Sequence, residues 1–156
     1  MKDTAAVRQE IEKLDTRNPE QAGKMLRELR RANEDNCYYN YADWLTKMMD
    51  KKKIKAPFFV SRGLDLDSNY LNKLKNGTKE NPGRDVALRI AFGLGLNEEE
   101  INRSLKLAGH SILYPKSTIG SPDPVLIKGL QSHWSIEEID RALEAYGNKF
   151  RLKKHA

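Results

Sequence analysis

Apolar residues recur along this chain at three- and four-residue intervals, the period of an amphipathic helix, and no stretch alternates in the manner of a strand. Val7, Ile11 and Leu14 predict a short first helix. Asn18-Pro19-Glu20-Gln21 reads as an N-cap, a proline at the first helical position and a capping-box residue, opening a second helix through Ala22, Met25, Leu26 and Leu29. The two make a helical hairpin, closed by a polar break at Asn33 to Asn36. Tyr38, Tyr41, Leu45 and Met48 or Met49 share one face of a third helix that runs into a lysine cluster, and Cys37 beside them reads as a small packing residue. Pro57 suits the first turn of a helix carrying Phe58, Val60, Ser61 and Leu64.

The best-punctuated element follows. Asp67 is an N-cap, Leu71 and Leu74 recur at helical spacing, and Gly77 supplies the left-handed residue that closes a helix. Ser68, Asn69, Asn72 and Lys73 lie away from the leucines, and their donors suit base edges and phosphates. Beyond the Asn81-Pro82 loop, a helix from Arg84 to Leu94 turns Ala87, Leu88, Ile90, Ala91 and Leu94 inward and ends at Gly95. Asn97-Glu98-Glu99-Glu100 then forms a capping box for a helix through Ile101, Leu105 and Ala108. These elements predict five short helices in a compact all-α domain.

Tyr114-Pro115 to Pro124 is a proline-punctuated linker, and two further helices are expected at Asp123 to Trp134 and Ser135 to Tyr146. Glu99-Glu100-Ile101-Asn102-Arg103-Ser104-Leu105, with Gly109, recurs 38 positions later as Glu137-Glu138-Ile139-Asp140-Arg141-Ala142-Leu143, with Gly147. Shared capping chemistry and internal duplication both account for that echo. Lys149, Arg151, Lys153 and Lys154 form a basic tail that either tracks phosphate or is a frayed, solubilising end. The expected organisation is a hairpin over residues 1–36, the five-helix domain over 37–112, and a linker, two helices and tail over 113–156.

Charge sharpens this picture. The net charge is +6, and residues 37–84 hold 10 basic against 5 acidic residues, so most of the excess surrounds the polar-fronted helix. A local positive field draws polyanions. Lys51, Lys52, Lys53 and Lys55 also read as an ordinary solvated helix end; beside that helix, Lys55 joins the DNA-binding candidates.

Catalytic chemistry finds no purchase. His110, His133 and His155 are scattered without ligand spacing, and the three glutamates at 98–100 suit the positive end of a helix. Gly93-x-Gly95 lacks the preceding strand and third glycine of a nucleotide fingerprint. A single cysteine builds no disulfide within one chain, and no apolar run reaches the length of a membrane span. The expectation is a cytoplasmic protein, not an enzyme, with no cofactor, no metal and no membrane partner.

Leu64-Asp65-Leu66-Asp67, Leu71 and Leu74, Asn76-Gly77, Asn81-Pro82, Leu88-x-Ile90-Ala91-x-x-Leu94-Gly95-Leu96 and the acidic capping box together resemble the lambda-repressor-like helix-turn-helix family of the xenobiotic-response-element type. The resemblance spans roughly Tyr38 to Ala108. It implies that the helix from Asp67 to Asn76 lies in the major groove of double-stranded DNA. Ser68, Asn69, Asn72 and Lys73 would then meet base edges or phosphates, and Thr78 and Lys79 would meet phosphates. The chain departs from the family where a capping hydroxyl and a phosphate-binding glutamine are replaced by Ala56 and Pro57, and where acidic surface residues are replaced by Phe58 and Phe59. The implied function is sequence-specific binding of double-stranded DNA by a homodimeric transcriptional regulator of a bacterium, phage or mobile element. The alternative is a protein-binding inhibitor or adaptor that reuses the fold and presents a phenylalanine to a protein partner.

Overall fold

The computed structural model describes residues 4–14, 17–32, 38–116 and 118–154. The polar break at 33–36, Cys37, His155 and the side chain of Val7 lie outside the described residues. The chain forms two compact units, Met1–Tyr39 and Asn40–Ala156.

The first unit holds α1 (Thr4–Glu12) and α2 (Pro19–Ala32). Asn18 caps α2 as its sequence predicts, its Oδ1 accepting from the amides of Glu20 at 3.0 Å and Gln21 at 3.3 Å.

The described residues of the second unit form seven helices joined by loops, with no strand longer than an isolated bridge. Its elements are α3 (Tyr41–Lys52), α4 (Ala56–Ser61), α5 (Ser68–Lys75), α6 (Arg84–Gly93), α7 (Glu98–Leu107), α8 (Asp123–Gln131) and α9 (Ile136–Tyr146). α3 packs on α5 and α7, α4 on α5, α6 on α7 and α8 on α9. Trp44, Leu45, Phe59, Leu71, Leu74, Leu88, Ile90, Ile101 and Leu105 fill the core. Hydrophobic burial drives the assembly, at about 1.5–3 kcal/mol for each large apolar side chain removed from water.

Three boundaries differ from the sequence reading. Tyr38 shares the spacing of Tyr41 but precedes α3, whose N-cap is Asn40, with Oδ1 accepting from the Asp43 amide at 2.9 Å. Leu64 lies beyond α4, which stops at Ser61, and the buried residues of that helix are Ala56 and Phe59 rather than Phe58 or Val60. A six-residue helix has only one buried stripe, and Ala56 and Phe59 share it. α8 ends at Gln131, three residues before Trp134, because His133 adopts a left-handed backbone with φ 54°. The approach of α6 to α4 is so close that a Cβ on Gly93 would meet the Phe59 ring at 2.6 Å. That close approach explains why the last residue of α6 is a glycine.

Residues 113–154 fold within the same unit as the five helices. Arg84, first residue of α6, reaches across to Asp123 with two hydrogen bonds of 2.8 and 2.7 Å, and also donates to the carbonyls of Ser111 and Ile112. Asp123, with its side chain only 4% exposed, further accepts from the Tyr114 amide at 3.0 Å. The proline-rich segment is therefore pinned at both ends. His110 closes the neighbouring loop, its Nε2 lying 2.8 Å from the Pro82 carbonyl.

The echo in sequence is an echo in structure. The pair α6–α7 ends its first helix at a left-handed Gly95, opens the second with the Asn97/Glu100 capping box and closes at a left-handed Gly109. The pair α8–α9 does the same 38 positions on, with His133, the Ser135/Glu138 box and Gly147. Even the next step repeats: Asn102 Oδ1 accepts from the Leu113 amide, and Asp140 accepts from the amides of Leu152 and Lys153.

The tail is not frayed as far as it is described. Phe150 and Leu152 are buried, and Arg151 turns back onto the carbonyls of Asn148 and Phe150. Leu64 and Lys153 form an isolated antiparallel bridge, flanked by Asp65 N–H to Leu152 at 3.0 Å and Lys154 N–H to Gly63 at 2.8 Å.

Candidate nucleic-acid interface

The site begins with a short helix that the rest of the unit holds from behind. Asp67 caps α5, its Oδ1 accepting from the Asn69 amide at 2.8 Å. An N-cap of this kind contributes about 1 kcal/mol and fixes where the helix starts. Leu71 and Leu74 are fully buried against α3 and α4, which leaves Asn69, Asn72 and Lys73 exposed and Ser68 half-buried at the helix start. At the far end, the Thr46 hydroxyl of α3 donates to the Lys75 carbonyl at 3.2 Å. Gly77 then takes φ 80°, a conformation that other residues reach only with strain.

The following loop is folded back on the helix. Thr78 donates its amide to Asn76 Oδ1 at 2.9 Å, and Lys79 donates its amide to the Lys73 carbonyl at 3.2 Å. Both side chains are exposed, just past the C-terminal end of α5. Lys55 is exposed at the N-cap of α4 without a side-chain cap bond. Six of the predicted residues thus fall on α5 and the loop after it, whereas Lys55 lies one helix earlier, at the start of α4.

Sequence reasoning left Lys154 out of this site. The bridge at Leu64 brings it to an open recess that Val60, Asp65, Ser68 and Asn69 also line. Asp65 is offset by Arg89 at 3.7 Å, and Arg89 in turn donates Nε–H to the Arg151 carbonyl at 2.9 Å and lies 5.0 Å over the Phe150 ring. One buried-stemmed arginine therefore joins the tail to the turn before α5. Phe58, 40% exposed, carries Arg62 over its ring at 5.7 Å.

Two helices joined by a tight turn, the second buried along its back and polar along its front, define the helix-turn-helix class of DNA-binding domain. Residues 45–103 match the family model of the Cro/C1-type helix-turn-helix DNA-binding domain, so this stretch of the chain is a domain of that type. No curated protein and no solved structure matches the chain. Among the described residues, no helix is long and apolar enough to cross a membrane.

Proposed function

We propose that the chain binds double-stranded DNA in a sequence-specific manner and regulates transcription, in a bacterium, phage or mobile element. The observation that carries this reading is the exposed polar front of α5 over its buried leucine back, inside a segment that matches a DNA-binding family. Asn69 and Asn72 offer amides to base edges, Lys73 and Ser68 offer donors to bases or phosphates, and Thr78, Lys79 and Lys55 meet the backbone at either side. Purified protein is incubated with random genomic fragments and the retarded fraction sequenced. Enrichment of one motif is the expected result; retention of no fragment at low salt overturns the reading.

One recognition helix buries too little surface for tight specific binding, so the chain acts as a homodimer on repeated half-sites. The hairpin of residues 3–33 is the favoured dimer element, since Ile11 and Leu26 are 46% and 40% exposed. The helices after Pro122 are less suited, because Leu126, Ile139 and Leu143 are already buried within their own unit.

A second reading has its own observation in Phe58, which stands exposed where the family carries polar residues. As a protein-binding anchor it would cost about 2 kcal/mol or more on truncation. The DNA reading expects Asn69→Ala with Lys73→Ala to abolish binding while Phe58→Ala is tolerated. The protein reading expects the reverse, and circular dichroism on each variant separates lost contact from lost fold.

A further inference from the structure

We propose that Lys154 belongs to the DNA-binding surface, contacting a phosphate beside the N-terminal end of α5, while Lys79 contacts a different phosphate at the other end. The inference rests on the reading that α5 enters the major groove, and it assigns the tail a part in that interface.

Three observations carry it. The tail is held at its backbone, by the Leu64–Lys153 bridge and the Lys154 amide on Gly63, so the position of Lys154 is set by the turn that also sets α5. Its neighbour Lys153 is committed elsewhere, with Nζ 3.0 Å from Glu137 Oε1, whereas Lys154 makes no ion pair among the described residues. Lastly, the recess beside Ser68 and Asn69 also carries two carboxylates, Asp65 and Asp67. Arg89 offsets Asp65, and the Asn69 amide engages Asp67. Without Lys154 that edge of the domain would still repel DNA; with it, a cation faces the groove.

The dimensions agree. α5 has eight residues, which at 1.5 Å each is about 12 Å, close to the width of the major groove. Lys154 and Lys79 stand at its opposite ends. Cations so placed fall on separate phosphates and fix the helix in register between them.

Binding to a random-sequence duplex is measured across a range of salt for the parent, Lys154→Ala, Lys79→Ala and the double variant. Each single change should flatten the plot of log affinity against log salt by about one unit, and the double change by about two. Lys154→Arg should restore the parent slope. Lys154→Ala keeps the backbone amide that donates to Gly63, so its melting temperature should match the parent's. With the enriched duplex, phosphate ethylation should interfere at different phosphates for the two single variants. A Lys154→Ala protein with the parent's slope and interference pattern, beside a Lys79→Ala protein that has lost both, reduces Lys154 to a counter-charge for Asp65 and Asp67 and leaves the groove reading intact. A parent that retards no duplex overturns both.

Discussion

Tyr41 illustrates how one atom is sacrificed to packing. Its ring stacks at 5.2 Å on Trp44 in the core, while its hydroxyl is buried with no hydrogen-bond partner. Burial, and then the neighbouring Tyr70, push that phenol far above its ordinary range, so it stays neutral. An orphaned buried hydroxyl costs about 1–3 kcal/mol. Tyr41→Phe should therefore raise stability by about 1 kcal/mol, seen as a higher urea midpoint with an unchanged slope; a lower midpoint would mean that the hydroxyl finds a partner. Asn72 sits at the opposite extreme, exposed and without a packing role. Asn72→Ala should leave the melt untouched yet cost about 1–3 kcal/mol at one operator position, if the amide grips adenine through two hydrogen bonds. Affinities for a set of single-base variants decide this, and equal losses across the set would reduce Asn72 to a positioning contact.

Helix ends were the most legible feature of the sequence, because capping chemistry is local. Asn18, Asp67, Asn97 and Ser135 each cap the helix that their neighbours announce. Where spacing alone decided, the reading slipped: Tyr38 mimics a helical position of α3, but Asn40 captures the Asp43 amide and starts the helix there. The tail was illegible for a different reason. Its anchors are Asp65, Asp140 and Arg89, and nothing near Lys154 in sequence announces them. The anchoring has a pH signature. Glu137 is held below the usual carboxylate range first by its own backbone amide and next by Lys153, and Glu138 first by the Ser135 amide and then by its hydroxyl. Carboxylates with depressed values stabilise the fold above their unfolded pKa of about 4.3, and that contribution fades as pH falls through the folded value. Glu137→Gln should therefore flatten the acid side of the stability profile below about pH 5, measured by thermal melts across pH; a profile matching the parent's would show that neither the backbone bond nor the Lys153 pair adds stability.

At the scale of the molecule, α3 to α7 build the helix-turn-helix domain, α8 and α9 fold within the same unit, and α1 and α2 precede it in sequence. The class of fold was visible in sequence because short helices, caps and glycine stops are all encoded within a few residues of one another. What could not be seen was that residues 113–154 belong to the same compact unit, since that depends on Arg84 finding Asp123 and on the tail finding the α4–α5 turn. The hairpin of residues 3–33 remains the proposed dimer element. Sedimentation at micromolar concentration should show a dimer, and Ile11→Glu with Leu26→Glu should return it to a monomer; a parent that is monomeric both alone and on DNA removes the proposal.

The Leu64–Lys153 bridge also sets an order of events during synthesis. The helix pairs α6–α7 and α8–α9 close over neighbouring residues and can form as soon as each leaves the ribosome. The turn ahead of α5 cannot be completed then, because the carbonyl that receives the Asp65 amide and the amide that bonds Gly63 belong to Leu152 and Lys154. A ribosome-bound chain in which residue 147 is the last to have cleared the exit tunnel should protect the amides of α6 from exchange while leaving Asp65 open, and emergence of Lys154 should close it. A growing chain would thus present α5 on an unfinished turn until Lys154 has emerged, and the helix would lack that support until then.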